Sequence, residues 1–497
     1  MKKHIRFGIR ALCLAILTIL CVVAVNHLLI PKYYYDNNWP TTTGLTGFYD
    51  MEEDSVDILF MGSSHTMTQI NPQVLYDLYG MRSYNLASEQ QNLVLTYWWL
   101  KEALRYQSPE CVVLDTYFLF TYKHTEVLNS AEASTRKALD SMRWSQVKWE
   151  AVRDICAIDE AQSLMSYIFP NIRYHSRWMD LVEDDFPFTS LAGHCELKGY
   201  DPLYKAAGSE TYAPFAAGDS TETEEMLPLM EEYLDKIVAL CKEEGIELIL
   251  IKTPSTSATV KKYNTLCAYA EANDLTYLDF NEQSLYESSG FVFTEDMYDG
   301  GHGNVEGALK ITTAMGNILA EDFGIEGDKT DAQWEETAEY YAQVYRDFQL
   351  VQIEDFATYI SLLKDDSRTI FITFRNNAEK CLNTEMRALM EEALGIHVMT
   401  LFDDESYFAV LEDGEVFEMH GESLISHYGS FRDGHADYEI ISAGYAVGNT
   451  SAVKINAAEV SKNYNGINIV VYDKKTNRVI DSVNFDTKSY EWPTAVR

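Results

Sequence analysis

The chain changes texture three times. Residues 11–30, ALCLAILTILCVVAVNHLLI, form an almost unbroken apolar run, with Asn26 and His27, near its far end, as the only strongly polar interruptions. About 20 residues in a helix span roughly 30 Å, one bilayer core. After an aromatic, polar lead-in (KYYYDNNWPTTTGLTGFYDMEED), short continuous apolar runs alternate with stretches of helical period. VDILFMG (56–62) is followed by NPQVLYDLYG, MRSYNLAS, LVLTYWWLKEALRY and ECVVLDTYFLF. Runs that are apolar on both faces suit strands buried inside a parallel sheet, so the alternation predicts an α/β domain. Residues 121–225 break it with amphipathic pieces (TRKALDSMRW, EAQSLMSYIF) and polar stretches, which predicts a helical insertion over the sheet. It resumes with EEYLDKIVALCKEEG, IELILIKTP, KKYNTLCAYAEAND and LTYLDF, and closes on MYDGGHGN leading into a helix.

The acidic stretch 328–349 has helical propensity and reads as a linker. From about residue 350 the runs become short and β-rich (TIFITF, SYFAVLEDGEVFEM, YEIISAGYAVG, SAVKIN, GINIVVYD, RVIDSVNF), with LNTEMRALMEEALG as the best helix. The predicted organisation is a basic flank and anchor (1–35), an α/β domain (36–326), a linker (327–349) and a β-rich α+β domain (350–497).

Charge fixes the setting. Lys2, Lys3, Arg6 and Arg10 precede the apolar run and only Lys32 follows it closely. The positive-inside rule therefore predicts a cytoplasmic N-terminus, an uncleaved single-pass anchor and extracellular domains. The net charge of −38 over 497 residues speaks against nucleic acid as a partner, which would need Lys/Arg clusters. Apolar content of 46% and aromatic content of 13% suit folded domains. Outside the anchor, Cys111, Cys156, Cys195, Cys241, Cys267 and Cys381 lack metal-type spacing, and several sit in apolar patterns as buried small hydrophobes. No metal site or cofactor is expected.

The chemistry lies in two loops. FMGSSHTM (60–67) ends a strand in Gly-X-Ser and turns into a helix, placing a hydroxyl at the carboxyl edge of the sheet, where open α/β sheets bind ligands. MYDGGHGN supplies Asp299 and His302 three residues apart after the last strand, so its loop emerges on the same rim. Ser64 is then the nucleophile, His302 its base and Asp299 the carboxylate that orients the imidazole. His65, adjacent to Ser64, points elsewhere on entering a helix and lines the pocket or packs. His175, Arg177 and Trp178 form a polar–aromatic cluster that either contacts a sugar or packs the insertion.

GSSH after the first strand, with Asp-x-x-His before the last helix, resembles the SGNH (GDSL-type) hydrolase superfamily over residues 50–325. The likeness is to membrane-anchored extracytoplasmic members that act in O-acylation of surface polymers. The resemblance implies a parallel sheet sandwiched by helices, with Ser64, Asp299 and His302 as catalytic residues. It also implies an oxyanion hole with a glycine N–H and an asparagine side chain beside the Ser64 N–H. YNLASEQQN (84–92) fills the glycine block without a glycine, leaving the backbone at Ala87, Ser88 or Gln90. The asparagine block reads DTYFLF, where Asp115 is no donor when ionised. Residues 370–395 and 442–487 resemble the ILEI/PANDER (FAM3-like) domain, which accompanies carbohydrate-active enzymes; its aromatics Tyr407, Phe408, Tyr445 and Tyr472 are expected in the core or in strand pairs.

These resemblances imply a serine acyltransferase or esterase acting on O-acyl groups, acetyl first, of an envelope polysaccharide. Its partners would be a surface glycan acceptor and a multi-pass membrane O-acyltransferase. The alternatives are D-alanyl ester chemistry on teichoic acids and a non-catalytic glycan-binding or scaffold protein.

Overall fold

The computed structural model describes residues 2–30, 40–121, 132–181, 185–186, 196–208, 211–376, 378, 382–402, 404–431, 436–475, 478–487 and 491–497. They form two compact units, one running through Tyr341 and one from Ala342 to Arg497. The division falls inside a continuous helix, Ala332–Val351, which occupies most of the expected linker.

The first unit is built on a five-stranded parallel sheet of β1 (Ile58–Gly62), β2 (Ser83–Ala87), β3 (Cys111–Asp115), β4 (Glu247–Lys252) and β5 (Thr276–Asp279). Their spatial order is 2-1-3-4-5. Every residue of β1 is buried, because both faces of the sheet are covered. Leu59 and Met61 pack into one cluster with Leu86, Trp99, Val112 and Leu250. Ile58 and Phe60 point the other way, into a cluster with Val113, Ile249, Ile311 and Met315. The period of two explains why a two-sided core reads as an unbroken apolar run. Each such side chain, fully buried, contributes about 1.5–3 kcal/mol. Since β2 and β3 flank β1 on opposite sides, the strand order reverses at β1, and it is at the carboxyl end of such a strand that open α/β sheets bind ligands.

Two segments depart from the sequence reading. ECVVLDTYFLF is not one strand: β3 ends at Asp115, and Tyr117–Leu119 form a 3₁₀ turn. Asp115 Oδ1 accepts the Tyr117 N–H at 3.3 Å, a side chain capturing the backbone that a strand would have used. The lead-in includes a helix, Pro40–Gly47, held by Tyr84 Oη donating to the Gly44 carbonyl at 2.6 Å. The insertion is helical in its described early part (Glu132–Ser141, Gln146–Ile158, Leu164–Ile168, Asn171–Tyr174). Cys111 and Cys241 are buried free thiols, and Cys156 and Cys267 are half-buried and free; Cys195 and Cys381 lie outside the described residues.

The N-terminal run is one helix, α1 (Lys2–Leu29), long and apolar enough to cross a membrane, its most apolar 18-residue stretch having a mean hydropathy of 2.6. Its apolar side chains from Ile5 to Val25 are largely exposed.

The second unit carries a mixed sheet of ten strands among the described residues. At its centre Arg368–Arg375 pairs antiparallel with Gly466–Asp473 and Ser406–Glu412, and meets Ala436–Ala443 in parallel at Ala443. Tyr407, Phe408 and Tyr472 are buried. Tyr445 is not: it sits in the 3₁₀ turn Tyr445–Val447, 64% exposed.

Candidate active site

The turn after β1 is set by Gly62. Its φ is +154°, and a Cβ there would lie 2.6 Å from both Asp115 Cβ and Thr66 Oγ1, so only glycine lets the chain pass beneath the end of β3. Gly62→Ala is expected to lose about 2–4 kcal/mol through strain and overpacking, read as a lower urea midpoint.

Two serines follow, with different employment. Ser63 is buried and caps the helix Ser64–Gln69: its Oγ accepts the His65 N–H at 3.3 Å and donates to Asp115 Oδ2 at 3.0 Å. Its hydroxyl is fully committed to structure. Ser64, the first helical residue, is half-buried.

The second loop is a narrow hairpin. Met297 pairs with Gly303, and the Tyr298 N–H donates to the His302 carbonyl at 2.8 Å, which leaves Asp299 and His302 at its tip. Gln69, at the end of the Ser64 helix, locks the hairpin in place. Its Nε2 donates to the Gly301 carbonyl at 2.9 Å and to Thr253 Oγ1 at 3.0 Å. The Thr256 N–H holds the Gly300 carbonyl at 2.8 Å, and Asn304 caps the helix that follows, Val305–Glu321.

This scaffold brings Ser64, His302 and Asp299 into one line. Ser64 Oγ stands 2.8 Å from His302 Nε2, and His302 Nδ1 stands 2.9 Å from each oxygen of Asp299. A carboxylate at Nδ1 fixes the proton there, so Nε2 accepts from the serine hydroxyl. Asp299 also accepts the Gly301 and His302 N–H groups at 2.8 and 2.9 Å. Partial burial opposes its charge, but the imidazole and these two N–H donors outweigh it and hold the carboxyl down to about 2. The Asp299 and His302 side chains are 49% and 30% exposed, so the line opens to solvent.

His65 is not part of the line. Its ring stacks on Tyr117 at 4.1 Å, with the His302 ring 5.3 Å away, and its Nδ1 accepts from Lys252 Nζ at 3.3 Å. Burial, then the charges of Lys252 and His302, push it well below the usual histidine range. It is a neutral, buried packing residue. Lys252 is itself buried beside Asp115 and Asp279. Burial lowers the ammonium while the two carboxylates oppose that shift, and burial raises both carboxyls against the pull of Lys252.

The oxyanion side is less complete. Among the described residues no protein acceptor takes the Ser64 N–H. Of the three named residues in the glycine block, Ser88 does not offer its N–H, which donates to the Gly62 carbonyl at 3.3 Å as the β1–β2 pairing runs on. Ala87 lies buried in register opposite Gly62, and Gln90 is exposed with φ at +57°. Asp115 faces Ser63 and Lys252. Gln69 and Lys252 escaped the sequence reading; the one signal for the latter is a lysine closing an otherwise apolar strand, ILIK. His175, Arg177 and Trp178 also fall elsewhere: Arg177 reaches the Leu28 and Leu29 carbonyls and Asp185.

The first unit is thus an α/β fold that holds a serine, a histidine and an aspartate in a hydrogen-bonded line at the carboxyl end of β1, an arrangement able to perform acyl transfer through a covalent ester. No protein-family model matches the chain, and no curated protein matches it. Eight solved chains match. One, from Desulfitobacterium hafniense DCB-2 and assigned to the lipolytic G-D-S-L family, is 11% identical with a TM-score of 0.27, covering 53% of this chain and 98% of that one. At that distance the likeness carries no argument about activity.

Proposed function

We propose that the protein is a membrane-anchored SGNH-type serine enzyme that transfers or hydrolyses O-acyl groups, acetyl first, on an envelope polysaccharide outside the cell. The observation that carries this reading is the hydrogen-bonded line from Ser64 through His302 to Asp299 at the carboxyl end of β1. Ser64 Oγ attacks the acyl carbonyl carbon as His302 Nε2 takes the hydroxyl proton, and Asp299 stabilises the imidazolium. The Ser64 N–H donates to the oxyanion. Collapse breaks the ester C–O bond, and the departing alkoxide takes the proton from His302. A sugar hydroxyl or water, deprotonated by His302, then attacks the acyl-serine carbonyl, and the Ser64 Oγ leaves with the proton returned by His302.

The openness of the line supports a bulky acceptor such as a polymer chain, and α1 supports placement at a membrane. The resemblance of residues 442–487 to the ILEI/PANDER domain supports a glycan context by association. One observation favours a second reading, a glycan-binding protein without turnover: the Ser88 N–H is taken, so the Ser64 N–H stands without a second assigned donor.

The test compares O-acetyl content of the envelope polysaccharide in cells carrying wild type or Ser64→Ala. Loss of acetyl in the variant supports transfer and gain supports hydrolysis. Unchanged content contradicts the substrate assignment.

A further inference from the structure

We propose that the segment Asn171–Met179 of the insertion, together with Phe186, lies in the outer interface of the bilayer crossed by α1, making the first unit membrane-embedded at two places. The inference rests on the reading of α1 as a membrane anchor.

The starting point is how α1 ends. From Ile5 to Val25 its large apolar side chains are open, but the last turn is covered by protein, and Leu29 is 7% exposed. The residue that closes the helix end is Arg177, whose Nη1 donates to the Leu29 carbonyl at 3.1 Å and to Leu28 at 3.4 Å. The same guanidinium is held by Asp185 at 2.8 and 3.0 Å. Carbonyls that a helix leaves unpaired at its C-terminus are thereby satisfied by one cation fixed to the insertion. The vertical position of Arg177 is tied to that of Leu28 and Leu29.

The side chains around that contact are apolar and open. Trp178 is 67% exposed, Met179 65%, Phe186 56% and Ile172 52%. Four large hydrophobes displayed on short turns, within reach of the membrane helix end, form a patch of the kind that marks an interaction surface. The composition also fits a bilayer interface, where tryptophan settles at headgroup level.

Length points the same way. Leu29 lies 19 residues beyond Arg10, about 28 Å at 1.5 Å per residue, against a hydrocarbon core of roughly 30 Å. With Arg10 and Arg6 held at the inner headgroups, the end of α1 comes to the outer hydrocarbon boundary, and the segment tied to it by Arg177 lies at that level. Lipid, not a second protein, covers the patch, because the patch continues the surface of α1 at its end. The net charge of −38 argues for zwitterionic lipid and hydrophobic insertion over binding to an anionic surface.

The test uses the full chain in phosphatidylcholine nanodiscs, with lipids brominated either near the headgroup end or near the methyl end of the acyl chain. The wild-type minus Trp178→Phe difference spectrum isolates Trp178. The expected result is that this difference emission loses most of its intensity with bromine near the headgroup end and much less with bromine near the methyl end. Equal quenching of wild type and Trp178→Phe, in a chain that co-floats with lipid, overturns the inference while leaving the anchor intact. A chain that does not co-float overturns the anchor and this inference with it.

Discussion

Replacing Ser64 by alanine is expected to lower hydrolysis of p-nitrophenyl acetate by roughly 10⁵-fold, the loss typical of removing a nucleophile from a serine–histidine–carboxylate group. The fold should be little affected, within about 1 kcal/mol, because Ser64 Oγ supports nothing but the His302 contact. Ser63→Ala should show the opposite signature. Ser63 Oγ caps the helix and donates to the buried Asp115, so its loss costs about 1–3 kcal/mol of stability while leaving the nucleophile in place. Rates and urea midpoints measured on both variants separate the two serines: activity falls with one, stability with the other. Similar losses of activity with unchanged stability in both would contradict the division of roles.

Asp299→Asn is the second large effect, expected to lower turnover about 10⁴-fold. The carboxylate fixes the His302 proton on Nδ1. An amide that presents its NH₂ there favours the other tautomer, with a proton on Nε2 facing the hydroxyl it should accept from. The pH behaviour follows from the carboxyl being held down to about 2, below the ordinary aspartate value of about 3.9. A depressed carboxyl contributes stability that is fully present above the unfolded value and is lost as pH falls toward the folded one. The part of the stability difference between wild type and Asp299→Asn that comes from the ionised carboxyl should therefore be lost between about pH 4 and 2. Asp299 stays ionised across the neutral range, so acid should not bring the two enzymes' rates together above about pH 4. Melting temperatures from pH 2 to 8 and kcat/KM from pH 4 to 8 check both statements.

What could be read ahead of the structure follows from how local each signal is. β1 was legible because a two-sided core makes every residue of ILFMG apolar, and the glycine ends the run where the backbone must pass Asp115. Asp299 and His302 were legible because three residues of glycine-rich hairpin suffice to set a carboxylate against an imidazole. TYFLF misled because its apolar content is that of a strand, while the turn is decided by one Asp115 side-chain contact. The partners of the site beyond the line were hidden for a different reason. Gln69 holding Gly301 and Lys252 holding His65 are contacts over 232 and 187 residues of chain, and no spacing announces them. Whether His65 lines the pocket or packs is decided by Lys252 and Tyr117, which lie far off in the sequence and enclose it. The glycine block suggested three backbone donors, but which N–H is free depends on where strand pairing stops, and here it runs on through Ser88.

The central claim is that Ser64, and not its neighbour, forms a covalent bond to the acyl group. Treating the purified full chain with a fluorophosphonate and mapping the adduct by peptide mass spectrometry tests it most directly. The account predicts a single phosphonylated residue, Ser64. No adduct, or an adduct on Ser63 with Ser64 unmodified, would contradict it.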